Sequence, residues 1–170
     1  GYEALMKCKH QDGATYTADE IAGKVGKSKS YVYQRLKLTA LGKVAREAFR
    51  KGDIDASRAF IIARIADHKD QAEAIEWATG DGGMPGLDEL RGFVQRSFLQ
   101  GLAKPPFDVT AIYFAGKTSA QPVGPKCADC PKRTLAQPHL FEDLQAKGDF
   151  CTDTACFKAK CEAHVEREAD

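Results

Sequence analysis

The chain has 170 residues, of which 43% are hydrophobic and 29% charged, and its formal net charge is +1. This length allows one large domain or two small ones, and the composition is that of a globular protein. No apolar run approaches the roughly 20 residues of a membrane-spanning helix, so an integral membrane protein is excluded and a cytoplasmic location is expected. Because the chain begins at Gly1 without a methionine, we expect a fragment of a longer protein.

The N-terminal half is predicted to consist of short helices. Tyr2 to Lys7 forms the first, before the turn-rich residues 11–13. Thr17 and Glu20 make a capping-box pattern, which opens a second helix near Ala18, and a glycine at position 26 closes it. Ser28 is a good N-cap for a third helix over 29–38. Further helices are predicted over 41–49, 54–66, 71–79 and 87–102.

The character of the sequence changes after residues 104–106. Residues 107–115 are β-branched and aromatic and favour a short strand, although no partner strand is evident. Five of the six cysteines follow from position 127 onward. The predicted fold class is mainly α: a multi-helix bundle containing a helix-turn-helix, followed by a small cysteine-rich, zinc-binding C-terminal subdomain. The corresponding domains are residues 1–103, a linker over 104–126 and a tail over 127–170.

Residues 17–37 have the layout of a helix-turn-helix, two short helices joined by a tight glycine turn. The second helix is short enough to enter the major groove of DNA, where Gln34 can pair with adenine and Arg35 with guanine. Residues 17–51 contain nine Lys or Arg and only three acidic residues, which suits a surface facing phosphates. A helical hairpin with a solvated basic face is the alternative. The predicted DNA contacts here are Thr17, Lys27, Ser28, Lys29, Ser30, Tyr31, Tyr33, Gln34, Arg35 and Lys37.

Three motifs in this region resemble a known family. They are the glycine turn followed by residues 27–30, the leucine-rich exit at 36–38, and the Lys-Gly-Asp-Ile sequence at 51–54. Their order and spacing are similar to the central DNA-binding domain of ParB-type (ParB/KorB-like) partition proteins, over roughly residues 1–100. The resemblance implies binding to double-stranded DNA at a pseudo-palindromic site, with Arg58 and Arg64 as further candidate contacts.

The same resemblance implies a biological setting. It suggests plasmid partition, chromosome segregation or transcription regulation, a homodimer in the intact protein, and a ParA-type ATPase as a partner. A CTP-binding domain precedes the helix-turn-helix in that family and would lie upstream of Gly1, so this chain is not expected to be an enzyme. Paired carboxylates, a His-rich box and a nucleotide loop are not evident in the sequence. The alternative function is a protein-protein interaction module without base reading.

The tail contains two cysteine pairs at spacings typical of zinc ligands. Cys127 and Cys130 form a C-x2-C pair, and Cys151 and Cys156 follow as C-x4-C after twenty residues. Four thiolates favour a closed, structural zinc site. Cys161 or His164 could replace Cys156 as the fourth ligand, and unliganded thiols or disulfides are further alternatives. Residues 130–134 and 151–157 resemble the tail of some ParB-like proteins of plasmids and mobile elements.

The remaining cysteine and histidines show no pattern that indicates a site. Cys8, alone on the first helix, is expected to be a packed hydrophobic residue. The histidines at positions 10, 68 and 139 are expected to be surface residues.

Overall fold

The computed structural model describes residues 2–9, 13–80, 82–116 and 121–169. This part of the chain is mainly helical, as predicted. Its helices are α1 (Tyr2–Lys7), α2 (Ala18–Val25), α3 (Lys29–Lys37), α4 (Lys43–Lys51), α5 (Ala56–Ala63), α6 (His68–Thr79), α7 (Leu87–Phe98) and α8 (Thr154–Glu168). Two short strands, β1 (Gln100–Gly101) and β2 (Phe150–Cys151), pair antiparallel, with Gln100 opposite Cys151.

Helices α4 to α7 enclose the main hydrophobic core. Leu41, Ile54, Ile62 and Leu90 are almost completely buried in it. Gln71 is also fully buried, and both the oxygen and the nitrogen of its side-chain amide form hydrogen bonds. Its Oε1 accepts from the backbone N of a glycine at 42, at 2.7 Å, and its Nε2 donates to the carbonyls of residues 40 and 65. This amide therefore joins the chain entering α4 to the loop that precedes α6.

Several helix ends differ from the prediction. α5 stops at Ala63, three residues early, because the backbone N of Ala66 donates to the carbonyl of Thr152 in the tail. α7 stops at Phe98 because the next residues form β1. α6 begins at His68, three residues early, because Asp67 caps its first turn. α4 spans Lys43–Lys51, two residues later at each end than expected.

The segment after α7 is irregular, and the short strand expected over 107–115 is not formed. Within these residues only an isolated bridge joins Phe114 to Pro122. Phe107 and Tyr113 instead turn inward and pack with Phe157 of α8. Aromatic side chains in this segment thus form part of a small core, and among the described residues no neighbouring strand is present to extend a sheet.

A further small cluster joins the tail to the helical core. Phe141, which lies between two 3₁₀ turns of the tail, and Leu144, in the second of them, pack against Leu99 at the end of α7. All three side chains are less than 7% exposed. The tail is therefore packed against the helices through apolar side chains as well as through the β1–β2 pair.

Candidate DNA-binding surface and cysteine cluster

α2, a tight turn and α3 form the helix-turn-helix. Thr17 accepts from the backbone N of Glu20, and the Glu20 carboxylate accepts from the backbone N of Thr17 at 2.7 Å, so the predicted capping box is confirmed. Gly26 ends α2 at φ +64, in the left-handed region that favours glycine. Ile21 and Val32 are completely buried between the two helices and fix their crossing.

The cations before α3 and in its first turn lie at the open end of the helix. Residues 27–29 are exposed. Lys29 forms an ion pair of 2.5 Å with Asp19 of α2. The ammonium group of Lys27 lies 5.7 Å from the ring centre of Tyr31. These positions suit contact with a charged ligand that approaches the N-terminus of α3.

Gln34 and Arg35, the two predicted base readers, line the same cleft. This cleft, of about 150 Å³, lies between α3 and α5 and is also lined by Tyr31, Ser57 and Arg91. The Arg35 guanidinium stacks over the Tyr31 ring at 5.1 Å, and Gln34 donates to Ser30 at 3.2 Å. Arg91 comes from α7 and was not singled out in the sequence, because nothing local to α7 indicates its proximity to α3.

Lys37, at the C-terminal end of α3, is held among other cations. Burial lowers its pKa, and the positive charges of Arg64 and Lys132 lower it further. Among the described residues Lys37 has no carboxylate partner, whereas Arg64 and Lys132 pair with Asp143 and Asp153. An anion beside Lys37 would therefore be stabilised by a charge that the fold does not neutralise.

Some of the predicted contacts are engaged in the fold. The hydroxyl groups of Thr17 and Ser28 cap helices. The Arg58 guanidinium donates to the carbonyl of Pro85 at 3.1 Å and pairs with Asp55. Arg64 is only 4% exposed and forms a bidentate ion pair with Asp143. The structure thus gives Arg58 and Arg64 intramolecular partners, whereas Lys27 and Lys29, at the start of α3, are exposed.

Comparison with known proteins identifies the helix-turn-helix segment. Residues 2–82, just under half of the chain, match the family model described as the ParB HTH domain. This segment is a ParB-type helix-turn-helix DNA-binding domain. No curated protein and no solved structure matches the chain. None of the helices in the described part of the chain is both long and apolar enough to cross a bilayer.

The cysteine-rich tail packs directly against α3 of the ParB-type domain. Ser30 donates from its hydroxyl group to the carbonyl of His139 at 3.3 Å. The ring of Tyr33 stacks on the imidazole of His139, with ring centres 5.1 Å apart and planes 14° apart. His139 is therefore half-buried against α3 and not simply a surface residue. More than 100 residues separate the partners, so sequence spacing carried no signal for this contact.

The structure brings the four predicted zinc ligands to one cavity. Cys127, Cys130, Cys151 and Cys156 all line a cavity of about 240 Å³, and the first three are less than 8% exposed. A 3₁₀ turn over 127–129 positions the first pair, and the β2–α8 junction positions the second. Burial raises the pKa of the Cys151 thiol to about 11 and also raises that of Cys156. Both pKa values describe the thiols without a bound metal ion.

Two hydrogen-bond donors contact the sulfur atoms of this cavity, although its present geometry is not that of a metal centre. Lys160 is 1% exposed, and its ammonium group lies 3.1 Å from the Cys127 sulfur and contacts the carbonyl of Pro125. The backbone N of Asp153 donates to the Cys151 sulfur at 3.4 Å. Among the described residues, no three His, Cys, Asp or Glu side chains are placed to hold a metal ion.

The other candidate ligands lie elsewhere. Cys161 and His164 do not line the four-cysteine cavity, and His164 packs edge-on against Tyr113. Cys8 is exposed and donates from its thiol to the carbonyl of residue 4, so the expectation that it is packed was wrong. Cys8 is the first residue after α1, and its side chain lies on the outer surface. His68 is exposed, and the histidine at position 10 lies outside the described residues.

Proposed function

We propose that this chain recognises a specific double-stranded DNA sequence by inserting α3 into the major groove. The single observation that carries the proposal is the placement of Gln34 and Arg35 side by side on one cleft of a ParB-type helix-turn-helix domain. An amide and a guanidinium can each bond bidentately to a purine edge. The exposed lysines at 27 and 29 would contact the flanking phosphates.

Lys37 supports this reading of the surface. It is a partly desolvated cation beside two other cations, without a carboxylate partner among the described residues. Such a charge gains free energy when a phosphate approaches, because the Coulomb attraction is weakly screened at a partly buried position. Neutralising several phosphates also releases counterions, so the affinity should fall steeply with salt concentration.

The finer biological assignment follows from the family resemblance. We propose that the target is a pseudo-palindrome read by a homodimer, since a two-fold site matches a two-fold protein. The setting would be a ParB-like partition protein or regulator on plasmid or chromosomal DNA, with a ParA-type ATPase as a partner. We propose no enzymatic activity for these 170 residues.

A selection from random duplex DNA tests the proposal. The chain should enrich a defined motif, and a Gln34→Ala, Arg35→Ala double variant should lose that motif while retaining salt-sensitive binding. Arg96→Ala, which removes one exposed arginine on α7, is the charge-matched control and should enrich the same motif. If the parent chain binds no DNA even at low salt, DNA reading is refuted and a protein-protein interaction module becomes the better account.

We also propose that the four cysteines at 127, 130, 151 and 156 bind one structural zinc ion. Their convergence on one cavity supports this, as does the buried ammonium of Lys160 beside a sulfur, which would offset the negative charge of four thiolates. The tail also has little regular structure besides α8 and a two-residue ladder, and small irregular units commonly need a crosslink or metal. When bound, zinc would crosslink the two cysteine pairs.

Metal analysis of the purified chain tests the zinc site. We expect one zinc per chain, lost in Cys130→Ser and Cys151→Ser and kept in Cys8→Ser. Loss of zinc in Cys161→Ser would overturn the assignment of Cys156 as the fourth ligand. Four titratable thiols without metal would refute the site, and a mass lower by two hydrogens per pair would indicate disulfides instead.

A further inference from the structure

The tail is fixed to the ParB-type domain by buried contacts. The Arg64 guanidinium bonds both oxygens of Asp143, at 2.8 and 3.2 Å, and stacks over the Phe141 ring at 4.5 Å. The hydroxyl group of Thr154 donates to the carbonyl of Phe98 at a buried position. Together with the pairing of β1 and β2, these contacts join the tail to the C-terminal ends of α5 and α7.

Separating the tail would expose much of this surface to water. Fully buried side chains such as those of Phe and Leu lose stabilisation when they are exposed to water, and a buried charge that loses its partner is destabilised further. The tail is therefore held firmly against the helices by Phe141, Leu144 and Leu99 and by the Arg64–Asp143 pair. The DNA must be accommodated with the tail in place.

One part of the tail lies along α3. The 3₁₀ turn Pro138–Leu140 contacts α3 through Ser30 and Tyr33, as described above. The side chain of Gln137 donates to the carbonyl of Pro131 at 2.7 Å, so the residues after Cys130 adjoin this turn. The next residue, Lys132, has a side chain that is 55% exposed. We define residues 131–140 as the tail wall.

From this packing we propose that the DNA-binding surface is composite, with the tail wall beside α3 and Lys132 contacting the DNA backbone on the side of Lys37. The inference rests on the proposed DNA reading and adds a second segment of the chain to it. Lys132 is close enough to Lys37 for its charge to affect that group. The Lys132 side chain is 55% exposed in its ion pair with Asp153, so its ammonium group is accessible to a phosphate.

The opposite reading of the same packing is that the tail wall covers α3 and inhibits binding. The two readings differ in the sign of their effect. A tail wall that contacts the DNA backbone raises the affinity for any duplex, whereas a tail wall that covers α3 lowers the affinity. Removing the imidazole of His139 opens the space beside Tyr33 and leaves the backbone carbonyl that accepts from Ser30.

The test compares duplex binding by the complete 170-residue chain and three variants over a range of salt concentrations. For Lys132→Gln we expect weaker binding to specific and unrelated duplexes alike. The slope of log affinity against log salt concentration should be smaller in magnitude by about 0.9, the value for one lost phosphate contact. Lys158→Gln, an exposed lysine of α8, is the matched control and should keep the parent slope. His139→Ala should leave the affinity unchanged or lower it.

The outcomes separate the inference from the function on which it rests. If the parent chain binds a specific duplex and Lys132→Gln has the same slope and affinity, the composite surface is wrong and DNA reading stands. A gain in affinity of about tenfold in His139→Ala would overturn it in favour of inhibition by the tail. Failure of the parent chain to bind any duplex refutes the proposed function itself. Thermal melting of each variant identifies a loss of affinity that comes from unfolding.

Discussion

The ion pair between Arg64 and Asp143 offers a direct measure of how strongly the tail is held. Asp143→Ala leaves the Arg64 guanidinium, 4% exposed, without its carboxylate. Removing one partner of a fully buried pair costs about 3–5 kcal/mol. Asp143 itself is 36% exposed, so water can partly replace it, and we expect a loss of about 2 kcal/mol in the free energy of unfolding.

Urea unfolding provides the assay. Trp77 is the only tryptophan and stacks on Phe93 at 4.1 Å, so its fluorescence reports on the helical core. In the double variant Arg64→Met, Asp143→Ala, the buried charge is also removed, and most of the lost stability should return because an apolar side chain of similar length suits the site. A change below about 0.5 kcal/mol in Asp143→Ala would refute the argument that this pair anchors the tail.

Three further substitutions test individual features of the helical domain by the same unfolding assay. Gly26→Ala places a β-carbon at φ +64 and should cost about 1–2 kcal/mol. Gln71→Leu leaves three backbone groups without their partner and should cost about 3 kcal/mol or more. Asp55→Ala removes the N-cap of α5 and should cost about 1 kcal/mol at pH 7. The pKa of Asp55 lies below its ordinary value of 3.8, because its carboxylate accepts from the backbone N of Arg58 and faces that side chain's charge. Its contribution is therefore present above pH 4 and is lost as the pH falls through the lowered pKa, so parent and Asp55→Ala should converge in stability under acid conditions, and a constant difference would contradict this.

Local signals explain why the helix-turn-helix could be predicted from the sequence. The capping box at Thr17, the left-handed glycine at 26 and the serine cap at 28 each involve residues within a few positions of one another. The apolar spacing of Ile21 and Val32 then defines the buried faces. All of this information lies within about twenty residues, so the bounds of α2 and α3 were correct to within one residue.

Long-range contacts explain three of the incorrect predictions. The early end of α5 depends on a hydrogen bond from Ala66 to Thr152, and the end of α7 depends on pairing with β2. Neither partner can be located from residues near these helices. The same holds for the region 107–115, where the β-branched and aromatic composition indicated a strand but the side chains of Phe107 and Tyr113 pack against α8 instead.

The candidate site shows the same division. Gln34, Arg35 and Lys37 could be found from the helix-turn-helix pattern, since they lie on one short helix. Arg91 could not, because only the packing of α7 brings it to the cleft of α3. The convergence of the cysteines was indicated by their spacing, but the buried Lys160 beside Cys127 was not, since an isolated lysine on a helix is ordinarily solvated.

The position of the tail has a consequence for the proposed reading of DNA by this chain. A short series of contacts joins the cysteine cluster to α3. Cys151 lies in β2, and the carbonyl of the next residue, Thr152, accepts from the backbone N of Ala66. Ala66 lies two positions after Arg64. Arg64 in turn holds the turns that carry His139 to α3. We therefore expect a change at the cysteines to affect the side of α3 that faces the tail without altering Gln34 or Arg35. For this reason the recognition properties of the chain should depend on two segments more than 100 residues apart, and a helix-turn-helix transplanted without its tail would present a different surface to DNA.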